Sequence, residues 1–126
     1  MKKVILSMVV IVMSLLAHDF GDVPEKKLDE IKKDRPLMVM VGKTKCIWCD
    51  NMAPQIREIK EQYPQTVIYY VNVDKDFLGA INHNIEELPV QLFYDKNGKE
   101  VDRHTGYLGK DSMMEALRKY GILVER

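Results

Sequence analysis

The sequence predicts an α/β fold with a central mixed sheet flanked by helices, and three observations carry that prediction. Residues 37–41 are a continuous apolar run and residues 67–73 a run rich in β-branched and aromatic residues, as buried strands are. A long helical pattern separates them, which makes a strand–helix–strand unit and therefore a parallel pair joined by a right-handed crossover. Farther on, Asp95-Lys96-Asn97-Gly98 is a hairpin turn between residues 89–94 and 99–104, so the sheet gains an antiparallel edge.

Each element follows from local chemistry. Residues 24–33 are expected to be helical: Asp22 can cap the start, Pro24 suits a first turn, and Leu28 and Ile31 share one face. Asp34-Arg35-Pro36 ends that helix. After the strand at 37–41, Gly42-Lys43-Thr44-Lys45 turns the chain into a helix over 46–63. There Cys49, Met52, Ile56, Ile59 and Tyr63 recur at helical spacing, Pro54 sits inside, and Pro64 follows the end. A short helix is expected at 76–84. Residues 110–120 form an amphipathic closing helix with Met113, Leu117 and Tyr120 inward, stopped by Gly121.

The chain's 126 residues suit one domain, and 19 basic residues balance 19 acidic ones. No basic patch points to nucleic acid. The start is distinctive. Met1-Lys2-Lys3 is positive, and residues 4–17 are apolar apart from Ser7 and Ser14. That run is short for a membrane span and fits a secretory signal. We therefore expect residues 1–17 to be a signal peptide and residues 18–126 the folded domain, placed in the periplasm or secreted. An uncleaved anchor or a buried first helix is the alternative, since Leu15 is not the small residue a cut after Ala17 prefers. The segment holds no cysteine, which argues against a lipoprotein.

Only two cysteines occur, Cys46 and Cys49, in the C-x-x-C sequence Cys46-Ile47-Trp48-Cys49. They directly follow a strand and a turn. At a helix start this spacing brings the sulfurs within reach of one disulfide, leaves the first exposed and covers the second with the next turn. Free N–H groups and the partial positive charge of the helix start favour a thiolate, the form that attacks disulfides. Lys43 and Lys45 add weak positive charge nearby. A zinc site lacks ligands, because His18, His83 and His104 are scattered singly. Haem attachment would need a histidine where Asp50 stands. An inert disulfide would close too small a loop to constrain the unfolded chain. No metal or other cofactor is expected. His83 and His104 are read as ordinary surface or edge residues, and the methionines as signal, core and helix-face residues.

Taken together these residues resemble the thioredoxin superfamily. Cys46-Ile47-Trp48-Cys49-Asp50-Asn51-Met52-Ala53-Pro54 is similar to its active-site helix, proline included. Glu87-Leu88-Pro89-Val90 is similar to its cis-proline loop, and residues 93–100 to the hairpin that follows. The resemblance spans about residues 22–121 and implies a thioredoxin-like fold. It also implies a thiol:disulfide oxidoreductase with Cys46 as attacking thiol and Cys49 as resolving thiol. Pro89 would be cis and lie against the sulfurs, and the backbone of Leu88 would pair with an extended substrate. Trp48 would belong to an apolar docking surface or simply pack over the helix start.

Several positions depart from thioredoxin itself. Gly-Pro is missing between the cysteines, Lys45 stands where a tryptophan precedes the motif, and Met40 replaces a buried acid that handles the resolving thiol's proton. Glu86 and Glu87 flank the proline loop and are candidates for that task, although solvation alone accounts for both. These departures fit exported thioredoxin-like proteins better than a cytosolic thioredoxin. The expectation is a monomer that acts as a reductant on disulfide- or thiol-bearing exported proteins and is recharged by a membrane redox partner. A histidine between the cysteines and an inserted helical domain, marks of strong exported oxidases, are both missing. A weak oxidase and a non-catalytic peptide-binding module are the rival expectations.

Overall fold

The computed structural model describes residues 20–125. The expected signal peptide therefore lies outside the described residues. Four strands, β1 (Leu37–Gly42), β2 (Ile68–Asn72), β3 (Val90–Tyr94) and β4 (Glu100–Thr105), form one sheet in the order β2-β1-β3-β4. Three α-helices accompany them: α1 (Ile47–Gln62), α2 (Phe77–Asn82) and α3 (Lys110–Lys119). β1 and β2 are parallel, whereas β3 runs antiparallel to both β1 and β4. The mixed sheet is the one the sequence predicts. Among the described residues no helix is long and apolar enough to cross a membrane.

Both faces of the sheet are covered, which is why β1 could be apolar throughout. Met38 and Met40 point to the side of α1 and α3, where Met52, Ile56, Ile59, Met113 and Leu117 are buried with Phe93. Leu37, Val39 and Val41 point the other way, onto Leu28, Ile31, Val71 and Leu92. The period-two alternation of the strand thus feeds two separate cores.

The helix expected over 24–33 does not form. Residues 24–26 instead lie extended along the free edge of β2. Tyr70 N–H donates to the Pro24 carbonyl and Lys26 N–H to the Tyr70 carbonyl, each at 2.9 Å, and Glu25 pairs with Tyr70 in a parallel bridge. Only a single 3-10 turn follows, Leu28–Glu30. An open strand edge offers backbone partners that a local helix would leave unsatisfied. Leu28 and Ile31 are still buried, but as anchors of an irregular strap rather than one helix face. Asp22 therefore caps nothing here. The Leu28 N–H is held instead by Asp76 Oδ2 at 2.7 Å.

Candidate functional site

The site is built where β1 hands over to α1. Gly42 ends the strand, and its carbonyl accepts Val73 N–H at 2.9 Å. The turn after it is fastened to the end of β2. Thr44 N–H donates to Asp74 Oδ2 at 3.1 Å, and Asn72 Nδ2 to Thr44 Oγ1 at 3.0 Å. These bonds fix the point at which the helix begins.

Cys46 is the N-cap of α1, with extended backbone at φ −144° and ψ 102°. Its Sγ accepts the Cys49 N–H at 3.1 Å, and its carbonyl accepts the Asp50 N–H at 3.0 Å. The sulfur thus takes the place of the Ser, Thr or Asp oxygen that usually satisfies a helix start. When Cys46 is ionised, that contact becomes charge-assisted and the helix dipole reinforces it. Cys46 and Cys49 form a disulfide with Cα atoms 5.2 Å apart. Cys46 keeps 8% exposure and Cys49 none, so an incoming group can reach only the first sulfur.

Cys49 is enclosed by apolar side chains. Met40, Met52 and Tyr70 share its buried cluster. Met40 is fully buried and carries no proton to exchange. The Tyr70 ring stacks on Phe20 at 4.5 Å between centroids. Burial raises the Tyr70 pKa, and the negative charges of Glu25, Asp74 and Asp50 raise it further, so the phenol stays neutral at ordinary pH.

Two other segments complete the rim. The Leu88–Pro89 peptide is cis. A shallow groove of about 390 Å³ brings Leu88 together with Cys46, Ile47 and Trp48. Lys43, Lys45 and Glu86 are its charged edges. Glu86 and Glu87 are both exposed, and Glu86 meets the groove at its mouth. The main-chain N–H and C=O of Leu88 make no hydrogen bond to any other described residue. Trp48 is 53% exposed and leans on Tyr107, with 5.8 Å between ring centroids. Tyr107 is itself held by Gln55, whose Nε2 donates to the phenol oxygen at 2.6 Å. Trp48 thus rests on a neighbour by one side and presents much of its area to solvent.

The sequence missed one pair. Gln91 is fully buried on the α1 side of β3, opposite Met40 in register. Its Oε1 lies 2.8 Å from His104 Nδ1, and its Nε2 lies 3.2 Å from the Gly106 carbonyl. His104 is therefore no ordinary edge residue. A polar side chain within the apolar run Val90-Gln91-Leu92-Phe93-Tyr94 was the available signal.

Comparison with known proteins agrees with this geometry. Residues 24–121 match the family model of the thioredoxin-like domain. Thioredoxin-1 of Saccharomyces cerevisiae is 36% identical over 76 residues, covering 60% of this chain and 73% of that protein. Chloroplastic thioredoxin z superposes with a TM-score of 0.71 at 20% identity, over 80% of this chain and 96% of its own. The reduced thioredoxin pre-protein of Schistosoma mansoni gives a TM-score of 0.68 at 25% identity, over 79% and 99% of the two chains.

Proposed function

The chain belongs to the thioredoxin-like family and is a thiol–disulfide oxidoreductase, and from that premise we propose that it reduces disulfides in exported proteins. One observation carries the reading: a helix-capping Cys46 that can be reached from solvent stands over a sealed Cys49. The Cys46 thiolate attacks one sulfur of a substrate disulfide and expels the other as a thiolate. The resulting mixed disulfide places Cys46 Sγ beside Cys49. Cys49, as thiolate, then attacks Cys46 Sγ and releases the second substrate sulfur. Two electrons have passed from the dithiol to the substrate, and the two thiol protons have gone to the substrate sulfurs through solvent. A membrane-borne dithiol partner restores the reduced pair.

The direction has a physical argument. A strong oxidant is one whose reduced form is unusually stabilised. Here the Cys46 sulfur has one N–H donor, and Ile47 and Trp48 between the cysteines contribute no cation. Weak stabilisation of the thiolate leaves the disulfide favoured, which suits a donor of electrons. The substrate strand docks along Leu88 and Pro89, using the unoccupied main chain of Leu88 and the apolar faces of Trp48 and Ile47. Export proceeds through the apolar segment at residues 1–17.

The test uses insulin as a defined protein disulfide. Wild-type protein, recharged by dithiothreitol, should reduce it catalytically. Cys49→Ser should accumulate a mixed disulfide with insulin, and Cys46→Ser should give neither turnover nor adduct. Turnover retained by Cys46→Ser would refute the assignment. Export is checked separately by fractionating cells that express the full chain, where retention in the cytosol would remove that part of the proposal.

A further inference from the structure

The chemistry of Gln91 leaves little freedom in how its contacts are read. Its neighbour at 3.2 Å is the Gly106 carbonyl, which can only accept, so the amide nitrogen faces it. The amide oxygen then faces His104 Nδ1 at 2.8 Å, so that ring nitrogen carries the hydrogen and donates. Gln91 has no exposure to water, and a buried amide with one end unpaired would be costly. His104 and Gly106 are the partners that prevent this.

Gly106 is where the network meets the site. Its N–H donates to the Pro89 carbonyl at 2.7 Å, on the strand side of the cis bond. Its φ is +100°, a conformation glycine adopts without strain. The next residue is Tyr107, on which Trp48 leans. A single residue, Gly106, therefore joins the two rims of the groove: its N–H holds the proline loop, and its carbonyl belongs to the peptide that leads into Tyr107. Gln91 holds the Gly106 carbonyl from behind, and His104 holds Gln91.

We propose that His104 is a positioning residue for protein substrates, acting through Gln91 on Gly106 to set the Leu88–Pro89 edge and the Tyr107–Trp48 wall at one spacing. This rests on the reading of that edge as the substrate-docking strand. A small disulfide needs only the Cys46–Cys49 pair and is indifferent to the spacing. A protein disulfide must fit between both rims.

The experiment compares insulin with dithionitrobenzoate, a small aromatic disulfide, for wild type, His104→Leu, Gln91→Leu, the double variant and His104→Asn. The double variant removes both polar partners, so only the Gly106 carbonyl loses a bond and the fold is kept. His104→Asn keeps an N–H donor at the place of Nδ1. We expect the leucine variants to raise the KM for insulin about tenfold with kcat little changed. Their rate with the small disulfide stays at the wild-type level, and His104→Asn restores the insulin KM. Trp48 is the chain's single tryptophan, so its emission should also shift in the leucine variants and return in His104→Asn. Insulin and small-disulfide rates that fall in parallel, or an insulin KM that does not move, would overturn the proposal. If wild type fails to reduce insulin, the reductase reading has failed instead, and the Trp48 emission still decides whether His104 sets the rim.

Discussion

Gly42 lies against Cys49 so closely that a Cβ on the glycine would sit 2.5 Å from Cys49 Sγ and 3.3 Å from Tyr70 Cε1. The end of β1 and the first turn of α1 are in contact at that point, with no room for a methyl group. Gly42→Ala must push the sulfur or the helix outward. The oxidised protein, whose Sγ is tied to Cys46, should lose about 1–3 kcal/mol of stability. The reduced protein can swing its thiol aside and should lose less. Urea unfolding of both forms, side by side, measures the difference. Equal losses would mean that the backbone rather than the sulfur absorbs the methyl.

Met40 offers a second test. It is fully buried in the cluster that holds Cys49, at the position where thioredoxin carries an acid. Met40→Asp places a carboxyl among apolar groups, with the Gln91 amide as the near polar neighbour, 3.6 Å from the Met40 sulfur in the native chain. At pH 7 the variant should be less stable by about 2 kcal/mol or more. Burial raises the pKa of the new carboxyl above its unfolded value, so the deficit is smallest at low pH and grows as pH rises toward the folded pKa. Urea midpoints at pH 5 and pH 7 should show the gap from wild type widening. A constant gap would mean that the carboxyl reaches water.

Tyr94 gives the alkaline counterpart. Burial, and secondarily the charge of Glu100, pushes its pKa up to about 12, from an ordinary value near 10. The folded chain holds this proton more tightly than the unfolded one. That contribution to stability is whole below pH 10 and is lost as pH rises toward 12. Tyr70 is raised in the same sense. Tyr94→Phe should therefore lose less stability than wild type between pH 9 and pH 11, in denaturant melts at each pH. Identical slopes would show that the phenol titrates freely in the folded chain.

Much of this architecture was legible because local chemistry and tertiary structure agree. The apolar run before Gly42 had to be covered on both faces, and two cysteines after a turn had to sit at a helix start. Where they disagree, sequence reading failed. Pro24, Leu28 and Ile31 carry helical spacing, yet the Pro24 carbonyl is taken by Tyr70 and the Leu28 N–H by Asp76, each more than forty positions away. Nothing local announces an open strand edge. Gln91 and His104 became neighbours only through the β3–β4 register. A histidine near a strand end looks ordinary until the residue opposite proves to be a buried amide. The resemblance located the sulfurs and the cis proline, but it said nothing of what supports the rim.

The most direct test of the central claim is the reduction potential of the Cys46–Cys49 pair. Residues 18–126 are equilibrated against a series of glutathione ratios, and the oxidised fraction is read at each. A reductase should give a value close to that of thioredoxin, about −270 mV. A value near the roughly −120 mV of the strong periplasmic oxidant would contradict the account and make the protein a donor of disulfides.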